Sequence, residues 1–132
     1  MVLGLTAAVA AVVFSFVFGM VYYHPKVLGK LWAKEAGVTP NNKKNAMMKG
    51  TVLSIIGTLV LAYVLSMFLT YAGATTPTMG ATVGAWAWLG FIATTTLGKI
   101  AWEGKSVKLY VIKNVYNLIN FAVIGALLVY LA

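Results

Sequence analysis

The sequence predicts an all-α, polytopic membrane protein: four transmembrane helices in a bundle, with a short interfacial amphipathic helix in the first cytoplasmic loop. Three observations carry this expectation. Of the 132 residues, 61% are hydrophobic and 9% charged, whereas soluble domains are roughly half apolar and a quarter charged. The apolar residues gather into four runs, each close to the ~20 residues a helix needs to cross a hydrocarbon core. The charge is one-sided, with ten lysines, no arginine, and only Glu35 and Glu103 opposing them, giving a net +8. A soluble enzyme, a disordered chain and a disulfide-stapled secreted domain are excluded. The length allows one domain, residues 1–132. Without cysteine there is no thiolate nucleophile and no cysteine-held metal.

The predicted spans cover about 2–23, 50–72, 79–102 and 109–131. Each reads as helix because lipid cannot satisfy backbone N–H and C=O groups. The first is read as a span rather than a cleaved leader, since it has no basic start and no small-residue cleavage site. All ten lysines lie in or beside the segment between spans one and two, or the link between spans three and four. The link Gly73–Thr78 has none. Lysine-rich loops stay in the cytoplasm, so both termini and the Gly73–Thr78 link are expected outside. The +8 therefore records orientation and contact with anionic lipid head groups, not nucleic-acid binding.

His24-Pro25 ends span one, because proline disfavours a helical residue before it. From Pro25 to Ala36, Lys26, Lys30 and Lys34 share one helical face, with Val27, Leu28, Leu31 and Trp32 on the other. Lys26, Lys30, Lys34 and Trp32 are candidate contacts to anionic lipid. A loop helix packed on the end of the bundle explains the same pattern. Gly37 suits a C-terminal cap, and Thr39-Pro40 an N-terminal start that runs into span two.

Helices in lipid associate through small residues. Ala7, Ala11, Ser15 and Gly19 recur at intervals of four in span one. Gly50, Ser54, Thr58, Ala62, Ser66 and Thr70 do so in span two, and Gly80 and Gly84 open span three. Thr94, Thr95 and Thr96 can bond back to their own helix. In span four, Lys113, Asn117 and Asn120 fall on one face, with Asn114 a quarter-turn away. They are either interhelical hydrogen-bonding groups or the wall of a hydrated vestibule. Lys99 and Glu103 can pair at i, i+4, or Glu103 can reach Lys113. The result is an ion pair fixing the hairpin or a site for an anionic group.

Catalytic chemistry is sparse. His24, Glu35 and Glu103 are the only candidates for acid–base work, and all sit at the cytoplasmic boundary. No metal or cofactor constellation occurs. No proline breaks a span at its centre, as a discontinuous transporter helix would be broken. Tyr22, Tyr23, Tyr71, Trp86, Trp88 and Trp102 read as interfacial belts or bundle packing.

Tyr23-His24-Pro25, Gly29-Lys30, Trp32 and Gly37-Val38-Thr39 form one group of residues, and Glu103-Gly104-Lys105, Lys108-Leu109, Asn114, Tyr116 and Gly125 a second. In order and spacing they resemble the small four-span membrane protein family catalogued as domain of unknown function 1761. The resemblance covers nearly the whole chain and implies a four-span bundle in a prokaryotic inner membrane. It implies no activity. His24 departs from the family pattern, which has a small polar residue there, so it is not treated as a family feature. The expectation is a non-enzymatic membrane protein without cofactors. It would act through helix–helix association, as a homo-oligomer or with other membrane subunits. A small channel or transporter with a polar face on span four is the alternative.

Overall fold

A computed structural model describes residues 4–36 and 44–132, and within these every regular element is helical. Helix α1 is Leu5–Tyr22. A π-helical turn, Pro25–Gly29, leads into α2, Lys30–Ala36. Helix α3 is Lys44–Ala72 and α4 is Pro77–Ala87. The chain continues through a π-helical segment, Trp88–Ala93, a 3-10 turn, Thr95–Leu97, and α5, Gly98–Ala101. Helix α6, Val107–Tyr130, closes the order. The predicted caps at Gly37 and Thr39-Pro40 lie outside the described residues.

Three helices are long and apolar enough to cross a membrane: Leu5–Tyr22, Met48–Ala72 and Val107–Tyr130. The third predicted run differs. It starts at Pro77 rather than Met79, because Thr76 caps it by accepting from the Met79 N–H at 3.2 Å. It is not one α-helix, since the π-helical segment and the 3-10 turn interrupt it without any proline.

Helix α6 is the hub, touching α1, α2, α3 and α4, with its largest interface on α4. That interface is backbone against backbone. A Cβ on Gly80 would collide with the Gly125 carbonyl, one on Gly84 with the Phe121 carbonyl, and one on Gly125 with the Gly80 carbonyl. Glycine is the residue that permits this approach. The expected Gly80/Gly84 motif therefore packs within the chain, against α6.

The apolar core lies toward the end where α1 begins and α3 and α6 end, and α4 joins it through its last residue, Ala87. It consists of Ala7, Ala11, Ala62, Leu65, Leu69, Ala87, Ile124 and Leu128. Ser15 extends the buried stripe of α1. On α3 the small-residue ladder is used only in part: Ala62 and Ser66 are buried, Thr58 is half-buried, and Gly50 and Ser54 are exposed. Outward faces are apolar along their length, with Val9, Val13 and Val17 exposed on α1 and Val52, Ile56 and Val60 on α3. The opposite end, where the lysines stand, holds the polar and aromatic contacts.

Candidate functional site

Two buried asparagines on α6 face different neighbours. Asn120, 6% exposed, accepts from the Ser15 hydroxyl of α1 at 2.9 Å. Along the same seam, the Tyr116 hydroxyl donates to the Ser15 carbonyl at 3.2 Å and the Tyr22 hydroxyl to the Ile112 carbonyl. Tyr116 stacks on Phe18 at 5.0 Å between centroids and also meets Tyr22 and Tyr23. Tyr23 passes the cluster on to Trp32 of α2, edge-on at 5.6 Å. Such ring pairs add about 0.5–1.5 kcal/mol each beyond their burial. They anchor α2 on the end of α6, with Lys26, Lys30 and Lys34 left exposed. Trp32 is thus half-buried against protein, and its buried indole N–H has no partner. His24 acts as a cap, its Nδ1 accepting from the Lys26 N–H at 3.1 Å.

Asn114, 4% exposed, faces the irregular part of the third run. Its Oδ1 accepts from the Trp88 indole at 3.2 Å, and its Nδ2 donates to the Thr96 hydroxyl at 3.2 Å and to the Tyr110 carbonyl at 3.0 Å. Hydroxyls donate to the carbonyls along the π-helical segment. Thr94 donates to Gly90, Thr95 to Phe91 and Thr96 to Ile92, while the Tyr110 hydroxyl donates to Ala93 at 2.7 Å. The expected back-bonding of the three threonines is present, and Thr96 has the further link to Asn114.

Between α5 and the start of α6 lies a cavity of about 150 Å³, bordered by Lys99, Lys105, Lys113, Ser106, Asn114 and Asn117 among others. Glu103 stands exposed outside it. The expected ion pairs of Glu103 with Lys99 or Lys113 do not form. The reason is local: α5 ends at Ala101, so the i, i+4 spacing no longer puts Lys99 and Glu103 on one helical face. Gly104, with φ +65°, then turns the chain, and the Lys105 N–H closes on the Lys99 carbonyl at 2.9 Å. The predicted polar stripe is therefore divided. Lys113 and Asn117 border this cavity, whereas Asn120 is sealed against Ser15.

A second opening, a groove of about 370 Å³, runs between α1, the first half of α3 and α6. Ser15, Gly19, Ser54, Thr58, Tyr23 and Tyr116 are among the residues that line it. Here Gly19 of the α1 ladder and Ser54 and Thr58 of the α3 ladder border open space. Tyr22 and Tyr116 as seam residues, Trp88 as the donor to Asn114, and Gly125 as the partner of Gly80 were not assigned those contacts from sequence. The signal was present for Gly125, a lone glycine in span four within the second group of family-like residues.

The chain matches the family described as Protein of unknown function (DUF1761) over residues 6–129. No curated protein and no solved structure matches it.

Proposed function

Because the chain belongs to the DUF1761 family, which carries no assigned activity, we propose its function from its geometry: a four-span, non-enzymatic membrane protein that acts by helix–helix association. In this reading the irregular third run also crosses. Residues 77–101 follow one helical path from α4 to α5, and ~25 residues suffice for a span. Both termini face outside an inner membrane, and the lysine-rich loops face the cytoplasm. Exposed Tyr71 and Tyr130 at one end and Trp102 at the other suit the two interfaces.

One observation carries the association reading: the half-used ladder of α3. Its Ala62 and Ser66 are buried within the chain, while Gly50 and Ser54, on the same stripe, are exposed, and Ser54 lines the open groove. Small residues facing lipid gain little, but they let a neighbouring helix approach closely. The partner is a second copy of this chain or another subunit of a larger membrane complex. His24, Glu35 and Glu103 do not converge on a common site among the described residues, which favours association over acid–base chemistry. The sealing of Asn120 by Ser15 favours it over conduction along α6.

Single-cysteine variants test this cleanly, since the chain has no cysteine. Oxidation in native membranes should cross-link Ser54→Cys, and Val52→Cys at similar depth much less. The mass of the product separates a homo-oligomer from a heteromeric complex. A monomer by native mass measurement, with no cross-linked species, contradicts the reading.

A further inference from the structure

We propose that the lysine-lined cavity between α5 and α6 binds a phosphate-bearing anion. Lys99 comes from α5, Lys105 from the turn after it, and Lys113 from the second turn of α6, and all three border one cavity of about 150 Å³. No carboxylate lines it. Three positive charges brought together without a counter-ion repel one another, and a dianion between them removes that repulsion. The volume equals about five waters at ~30 Å³ each, enough for a phosphoryl group.

Two further observations point to a ligand. Lys113 and Asn117, one turn apart and half-buried, make no hydrogen bond from their side chains among the described residues. Neither side chain has a polar atom sealed from solvent, so both are open to a phosphate oxygen placed between them. Ser106, which also borders the cavity, is the N-cap of α6, so the positive end of a 24-residue helix opens on the same space. The frame is set by the closed turn: Gly104 and the Lys105 N–H bond to Lys99 hold the two lysines at one rim. Lysines act as point charges rather than planar forks, and three of them around one cavity can meet the several oxygens of a phosphate. The phosphate belongs either to the head group of an anionic lipid or to a soluble molecule. The site itself does not depend on association of the chain with a partner.

The test uses the full chain in nanodiscs. One arm titrates inorganic phosphate against protein in phosphatidylcholine discs and reads thermal stability. The other measures retention of phosphatidylglycerol by native mass spectrometry. Stabilisation by inorganic phosphate assigns a soluble ligand, and retention of phosphatidylglycerol alone assigns a head group. Either way, Lys99→Gln and Lys105→Gln should each weaken binding roughly fivefold, as expected for about 1 kcal/mol per lysine. Lys113→Gln should weaken it at least as much. Both Lys99 and Lys105 are exposed, so their variants keep the test valid if Lys113→Gln fails to fold. Lys108→Gln, exposed and off the cavity, is the control and should change binding less than twofold. Binding of neither probe, or equal loss in Lys108→Gln, overturns the proposal.

Discussion

Gly125→Val should cost about 3 kcal/mol of stability, at the upper end of overpacking penalties, and separate α4 from α6. A Cβ at residue 125 meets the Gly80 carbonyl, a backbone atom that cannot rotate away as a side chain would. The same holds at Gly84, where a Cβ meets the Phe121 carbonyl, so Gly84→Val should behave alike. Relief would require the two helices to move apart along the largest interface in the protein. Gly57→Ala in α3 is the matched control, because open space surrounds that position. It should be neutral, or stabilising by up to about 1 kcal/mol through helix propensity. Unfolding in mixed detergent, followed by helicity, distinguishes the two classes. Similar losses at Gly57 and Gly125 would show that general glycine chemistry, not the close approach, sets stability.

Asn114→Leu should cost about 2 kcal/mol. The substitution removes bonds to Trp88, Thr96 and the Tyr110 carbonyl together. Interhelical hydrogen bonds in membrane proteins average about 0.6 kcal/mol, but an indole N–H left buried without a partner costs about 1–3 kcal/mol more. The penalty should shrink in the Trp88→Phe background, where that donor is already gone. A double-mutant cycle measures this coupling, expected at about 0.6–1.7 kcal/mol. Additive losses would mean that the Trp88–Asn114 bond contributes nothing.

Much of this architecture was legible in composition and spacing. Three of the four apolar runs are single helices of the expected extent. The small-residue stripe of α1 is its buried face, and Gly80 and Gly84 are contact points. These features are local: a period and a residue size suffice to read them. The π-helical segment was not read, because no proline or paired glycine marks it. Its trace in the sequence is the Thr94-Thr95-Thr96 run, three hydroxyls placed to serve carbonyls one turn back.

The candidate sites were legible only in part. Spacing put Lys113, Asn117 and Asn120 on one face, but which neighbour each residue meets depends on how α1 and α5 approach α6. Ser15 takes Asn120, and the turn at Gly104 brings Lys99 and Lys105 to the cavity that Lys113 and Asn117 border. The expected pairing of Lys99 with Glu103 failed for a comparable reason. A four-residue spacing has meaning only while the helix continues, and α5 stops at Ala101.

The central claim, that the third run crosses the membrane and leaves every lysine in the cytoplasm, is tested most directly by single-cysteine labelling in intact cells. Thr75→Cys, Lys105→Cys and Ala132→Cys, each on the cysteine-free chain, are treated with a membrane-impermeant maleimide. Four spans predict that residues 75 and 132 react from outside and that residue 105 reacts only after permeabilisation. If residue 105 reacts from outside and residue 132 is protected, residues 77–101 do not cross, and both the orientation and the four-span account are contradicted.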